Sequence, residues 1–230
     1  MTGSLLFPRR CPMCDEILDK GKLICDKCIR IPRRVTGERC FKCSKHLDSP
    51  YAEYCLDCEK HKKSFLRGIA LYEYDSVKDS INYFKNNSRP EYAVFYADGI
   101  DRYLSDIIKS FHADVLVPIP LHPTKLKKRG YNQSELLANE LSKRFDIPVD
   151  THLLERTKKT KEQKKLTGNE RLKNTVGAFH MLSNGVKYNN IILVDDVYTT
   201  GATLDEASRT LISGGLKNVF FVTVAIGSGS

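Results

Sequence analysis

With 230 residues, 41% hydrophobic and 28% charged, the chain has material for one medium domain and one small domain, and wholesale disorder is excluded. No apolar run approaches the roughly 20 residues that cross a bilayer. The start MTGSLLFPRRCPMC has a Leu-Leu-Phe patch and no secretory core, so a cytoplasmic protein is expected. A formal net charge of +9 points to an anionic partner such as nucleic acid, a phosphorylated metabolite or a membrane surface.

All eight cysteines lie in the first 58 residues, as four CxxC pairs: Cys11/Cys14, Cys25/Cys28, Cys40/Cys43 and Cys55/Cys58. Each CxxC turn sets two sulfurs on one side of a tight knuckle, and two such turns close a tetrahedron around Zn²⁺. Two structural zinc ions are therefore expected. A disulfide scaffold fits poorly in a chain without a secretion signal, and redox chemistry needs one pair, not four. Sequential sites and an interleaved cross-brace both satisfy the spacing. Two such sites of four thiolates remove about four units of net charge, which leaves the chain basic. The basic residues between the knuckles, among them Arg33, Arg34, Arg39, Lys42 and Lys45, read equally as a nucleic-acid contact or as a solvated face.

Beyond the knuckles, 60–64 reads as a linker, which places a boundary between a zinc module (1–62) and a larger domain (63–230). Residues 66–74 alternate as a strand, Asp75 caps a helix through Lys85, 86–90 is a turn, and 91–111 has helical periodicity. A short strand over 113–117 runs into Pro118-Ile119-Pro120. An amphipathic helix is expected over 132–145, a doubly buried strand over 190–194, a helix over 202–212 and a last strand over 218–226. Strands alternating with helices predict an α/β domain with a mainly parallel sheet.

The segment IILVDDVYTTGAT, 191–203, carries the most chemistry. A buried strand delivers Asp195 and Asp196, and a Thr/Gly turn then opens a helix. A turn of small residues at a helix start presents backbone N–H groups to a phosphate, with the hydroxyls of Thr199, Thr200 and Thr203 as further donors. The two carboxylates accept from a ribose diol or hold Mg²⁺ through water. This segment resembles the PRPP motif of type I phosphoribosyltransferases. The resemblance implies that Asp195 and Asp196 bind the ribose hydroxyls of Mg²⁺·PRPP, and that Thr199, Thr200, Gly201, Ala202 and Thr203 form the 5′-phosphate loop.

A second stretch, VLVPIPLHPTKLKKRGYNQ at 115–133, resembles the signature of ComF-type competence proteins and sits where type I enzymes keep a pyrophosphate loop. By that resemblance Lys125, Lys128 and Arg129 bind pyrophosphate, with Lys127 beside them. The spaced Arg156, Gln163, Leu166, Arg171, Asn174 and Phe179 also resemble that family, in which Gln163, Arg171 and Asn174 would belong to a flexible loop closing over PRPP. Phe65 to Asp79, with Lys85 following, resembles the family's region between zinc module and sheet.

The resemblance implies a role in natural transformation, with single-stranded DNA and the competence helicase as partners. Binding PRPP is a different matter from catalysis. The sequence after the last strand is only GSGS, so any hood that reads an acceptor base is expected from 65–112 or from the zinc module. Three readings stand: a competence-associated protein binding PRPP and single-stranded DNA, a nucleobase salvage transferase, and a non-catalytic nucleic-acid or helicase adaptor.

Overall fold

The structure is a computed structural model in which residues 8–86, 88–158, 175–182 and 187–227 are described. Gln163, Arg171 and Asn174 lie outside them. Strands β1 (Arg67–Glu73), β2 (Val115–Pro118), β5 (Asn190–Tyr198) and β6 (Asn218–Ile226) form one parallel sheet in the order β1-β6-β5-β2. A short antiparallel pair, β3 (Leu154–Arg156) with β4 (Phe179–Met181), stands beside it.

Both faces of a parallel sheet need cover, and alternation along each strand divides the core accordingly. Ile69, Leu71, Leu116, Ile192, Val194, Val222 and Val224 pack with α2 (Tyr74–Asn86), α3 (Tyr92–Ser110) and α5 (Gln133–Phe145). Ala70, Val117, Leu193 and Phe221 face the other way, against α6 (Ala202–Ser213) and β3/β4. Neighbouring strands pack without slack at Gly68, where an added Cβ would lie 1.9 Å from the ring of Phe221, its partner on β6.

The eight-cysteine segment straddles this sheet. Val35 N–H donates to Leu71 C=O at 2.9 Å, and Gly68 N–H donates to Lys42 C=O at 2.9 Å, so 33–42 run along the free edge of β1 and cover it. On one side Asp15 accepts from the Arg89 guanidinium twice, at 2.7 Å each, and from the Tyr92 hydroxyl at 2.7 Å. On the other side Val35, Cys40, Cys43 and Leu47 join the core layer of α6.

Several expectations need correction. The segment 60–64 is no free linker: α1 (Leu56–Lys60) precedes it, Lys63 is buried against Asp57 at 3.1 Å, and Ser64 N–H donates to Asp205 at 2.6 Å. Strand β5 continues to Tyr198, so the acidic pair lies inside the strand and not after it. The basic stretch after β2 is a short helix, α4 (Pro123–Arg129), entered through His122, whose ring accepts from Thr124 N–H, and closed by Gly130 at φ +85°. Asp75 lies in the first turn of α2 instead of capping it. The β3/β4 pair was not expected at all.

Candidate functional site

At the carboxyl ends of β5 and β2, α5 points its N-terminus at the two carboxylates of β5. Asn132 caps α5, accepting from Ser134 N–H at 3.2 Å while donating to Ile119 C=O at 3.1 Å, which ties the helix start to the end of β2. The next two residues reach the acidic pair. Ser134 hydroxyl donates to Asp195 at 3.0 Å, and the Gln133 amide donates to Asp196 at 3.5 Å. The Arg129 guanidinium in turn donates to Gln133, so one chain of contacts runs from α4 to β5.

The third partner comes from far away in sequence. Lys85, in the last turn of α2, pairs with Asp196. Both carboxylates are buried, and their environments separate them. Burial, then the adjacent Asp196 charge, pushes Asp195 up to about 7. Burial also works against Asp196, but the Lys85 charge and hydrogen bond outweigh it and hold that carboxyl below its ordinary value. One carboxylate thus stays ionised while its neighbour titrates near neutrality.

After β5 the chain turns through Thr199 and Thr200 to Gly201, which caps α6 at φ +74°, a conformation that only glycine adopts readily. A Cβ there would lie 2.3 Å from the Tyr198 hydroxyl, so the position excludes a side chain on space as well. Tyr198 stacks on Phe221 at 5.1 Å between ring centres, and Phe65 meets Phe221 edge-on at 4.9 Å, giving the turn a rigid apolar base. Two buried hydroxyls near the pair and the turn, Thr223 Oγ1 and Tyr198 Oη, have no hydrogen-bond partner among the described residues.

The fold therefore brings Asp195, Asp196, Arg129 and the turn 199–203 to one end of the sheet. Lys125 is half-buried on α4, and Lys128 is exposed on it. Sequence reasoning missed Lys85, Gln133 and Ser134 as site residues. The Asn-Gln-Ser run after Arg129-Gly130-Tyr131 was the available signal for two of them, because an Asn cap aims the following side chains at whatever lies before the helix. Adjacent carboxylates supply the oxygen donors that Mg²⁺ prefers. With Lys85 already on one of them, the donor set fits a hydrated ion carried in on a phosphorylated substrate, not a resident one.

The cysteines gather into two clusters, Cys11/Cys14/Cys25/Cys28 and Cys40/Cys43/Cys55/Cys58, so the pairing is sequential and not a cross-brace. None is in a disulfide. Within each cluster the sulfurs lie within 4.8 Å of one another, with Cys14–Cys25 at 3.8 Å and Cys43–Cys55 at 3.6 Å. Four sulfurs on a tetrahedral Zn²⁺ with bonds of about 2.3 Å are about 3.8 Å apart, so both clusters fit structural zinc.

Along the covered edge of β1 lies a basic strip. The Arg34 guanidinium stacks 4.1 Å from the centre of the Tyr103 ring, and Arg67 lies 4.6 Å from that of Phe41. Arg39 is between them. Burial, then the charges of Arg67 and Arg34, lower its pKa. None of the three is in an ion pair among the described residues, because the neighbouring Glu73 is held by Arg33 and Asp98 by Arg102.

Comparison with known proteins agrees with the geometry. Residues 3–59 match the double zinc ribbon domain, and residues 95–229 match the phosphoribosyl transferase domain. The class is thus a phosphoribosyltransferase-type α/β domain behind a double zinc ribbon. The chain is 31% identical over 194 residues to competence protein F of Haemophilus influenzae, covering 78% of this chain and 81% of that protein. It is 32% identical over 206 residues to competence protein ComFC of Bacillus subtilis, covering 86% and 82%. A shorter match, 35% identical over 106 residues and 46% of each chain, is to the DNA utilization protein YhgH of Escherichia coli strain K12. The chain belongs to the ComF/ComFC family of competence proteins. No helix among the described residues is long and apolar enough to cross a membrane.

Proposed function

We propose that this protein binds Mg²⁺·PRPP at the end of β5 and single-stranded DNA along the edge of β1, as a component of the DNA-uptake machinery that works with the competence helicase. In this reading residues 1–62 are the ribbon module and residues 63–230 the transferase-like domain. The observation that carries it is the acidic pair beside the left-handed Gly201 turn. Asp196, kept ionised by Lys85, and Asp195 accept the ribose hydroxyls, while 199–203 at the start of α6 receive the 5′-phosphate. Arg129 and the α4 lysines supply positive charge for pyrophosphate. When Mg²⁺·PRPP is bound, the ion neutralises pyrophosphate charge. The protein's own part is to bind and orient the sugar.

Isothermal titration of Mg²⁺·PRPP is expected to give saturable binding that Asp195→Asn/Asp196→Asn weakens by about 100-fold, the loss of two charge-assisted hydrogen bonds at about 1.5 kcal/mol each. Absence of binding to the unaltered protein overturns the reading. Pyrophosphate release that needs one particular nucleobase favours the salvage transferase instead. DNA binding indifferent to both substitutions, without PRPP binding, favours the adaptor.

The basic strip supports the DNA part. Arg34 sits opposite Tyr72, five residues along β1 from Arg67, which spans about 17 Å at the rise of a strand. Arginines without acidic partners among the described residues, set between the half-exposed rings of Phe41 and Tyr103, match a single strand's phosphates and bases. Arg34→Ala/Arg39→Ala/Arg67→Ala is expected to reduce the log–log salt slope of oligo-dT binding by about 2, at about 0.7 per lost contact. A slope unchanged in fluorescence anisotropy would remove DNA from this edge.

A further inference from the structure

Among the described residues the first zinc ribbon makes no hydrogen bond or ion pair with Asp195 or Asp196, yet it grips the same short connection that they do, the chain between α2 and α3. On the site side, Lys85 in the last turn of α2 pairs with Asp196, and Phe84 C=O accepts from the Tyr131 hydroxyl. Tyr131 leads directly into Asn132, Gln133 and Ser134, so the start of α5 is fastened to the same end of α2.

On the ribbon side the grip is a charged fork. The Arg89 guanidinium donates to the Asp15 carboxylate at 2.7 Å through both Nε and Nη2. The hydroxyl of the buried Tyr92 is shared between Asp15 at 2.7 Å and Cys11 C=O at 3.0 Å. Asp15 follows Cys14 at φ +58°, and its N–H donates to Cys11 C=O at 2.9 Å, which closes the knuckle. The carboxylate that holds Arg89 is thus aimed by the turn that carries two sulfurs of the first cluster.

The connection between these grips is not relaxed. Ser88 has φ +52°, where a residue with a Cβ is uncommon, and Pro90 restricts the Arg89 backbone before it. Such a conformation persists while its surroundings hold it at both ends. Freed at Arg89, the connection relaxes between the core residues Phe84 and Tyr92, and the site side chain it carries is Lys85.

We propose that Asp15 and Arg89 are positioning residues of the sugar-phosphate site, through which the first zinc cluster sets how Lys85 meets Asp196 and so how tightly PRPP is held. Neither residue bonds to the acidic pair; both act through Lys85. A first ribbon without its metal then weakens the site while the α/β domain stays folded. The proposal rests on PRPP binding at the acidic pair.

Isothermal titration of Mg²⁺·PRPP into the zinc-loaded full chain is expected to show Arg89→Met and Asp15→Asn each weakening binding about fivefold, the size of effect a remote residue has on a coupled site. Asp15→Asn guards against misfolding, because asparagine tolerates the left-handed backbone. Cys14→Ser is expected to match it. Lys22→Met, which removes the same ribbon's ion pairs to Asp19 and Asp26, should leave affinity unchanged. Adding Arg89→Met to Lys85→Met should weaken binding no further, because the residue it acts through is already gone. In ligand-free ¹H–¹⁵N spectra of Arg89→Met, the Asp196 and Ser134 amide signals are expected to move while those of α6 stay. A second loss of about fivefold on the Lys85→Met background, or unchanged affinity in both Arg89→Met and Asp15→Asn, overturns the proposal and leaves the PRPP reading standing. A loss in Asp15→Asn but not in Cys14→Ser overturns the part given to zinc. If the unaltered protein binds no PRPP, the PRPP reading fails, and the spectra decide the link alone: Asp196 and Ser134 signals that stay put overturn it.

Discussion

Cys43→Ser is expected to prevent the whole chain from folding stably, whereas Cys14→Ser is expected to loosen only the first ribbon. Both remove one thiolate from a four-sulfur cluster, so the difference lies in what surrounds each cluster. Cys14 is exposed, and its cluster shares a small apolar group with Leu18. Cys40 and Cys43 are buried in the same core layer as Phe65, Leu193, Tyr198 and Phe221, the residues that join ribbon, sheet and α6. Zinc bound at such a site contributes about 10 kcal/mol of folding free energy, comparable to the whole stability of a domain. Without it, Val35 and Leu47 lose their anchor, and the edge of β1 that 33–42 cover is exposed. The first ribbon is fastened by Asp15 to Arg89 in the turn before α3 and to Tyr92 at the start of α3, and its Met13, Leu23 and Ile24 are only partly buried against the core, so its loss is expected to lower the melting temperature by only about 5 °C. Circular-dichroism melts with zinc content measured on the same samples decide it. Two variants that melt alike would show that the clusters are energetically equivalent and that burial in the core layer adds nothing.

The distinction between the clusters was not legible in the CxxC spacing, which is nearly the same across the four pairs. Local chemistry was. Four CxxC turns gave two sites, the run of apolar residues before Asp195 gave a central strand, and Gly214-Gly215 ended a helix and bounded the strand Asn218–Ile226. What failed depended on partners distant in sequence. A three-residue strand such as Leu154–Arg156 has too few residues to show alternation, and its partner begins at Phe179. Lys63 looked like a linker residue because its acceptor, Asp57, belongs to a short helix with no apolar face. The α4 lysines looked like loop residues because Pro123 reads as a breaker, although proline at a first helical position is preorganised for a helix. A cavity of about 660 Å³ at the carboxyl end of the sheet is made of three segments, 35–59, 73–75 and 226–227, that no local pattern connects. Lys85 is the most consequential case. It looks like an ordinary basic residue in the last turn of α2, and only the fold brings it to Asp196, 111 positions later.

Replacing that lysine is expected to have the second large effect. Lys85→Met keeps the aliphatic stem and removes the charge, leaving two adjacent buried carboxylates without the ion pair that Lys85 makes. Breaking a buried pair by removing one partner costs about 3 kcal/mol at the lower end of the range, which applies because the Lys85 side chain is a quarter exposed. In a chain of this length that is about 6–12 °C of melting temperature. Asp196→Asn in the same protein is expected to recover at least half of the loss, since the uncompensated charge is then gone.

The pH dependence separates charge from packing. In the unaltered protein the Asp196 carboxyl is held below its unfolded value of 3.8, so it contributes stability that is present above that pH and lost as pH falls through the lowered folded value. Asp195, raised to about 7, does the reverse: its penalty is complete above pH 7 and disappears as the pH falls toward 3.8. Without Lys85 both carboxyls behave like Asp195. The gap between Lys85→Met and the unaltered protein should therefore be widest near pH 8 and narrow steadily toward pH 5, as the pair takes up a proton. Chemical denaturation at four pH values across that span measures it. A gap that stays constant would mean that the loss does not come from uncompensated carboxylate charge, and that Asp196 is held ionised by the N-terminus of α5 and the Gln133–Arg129 chain instead.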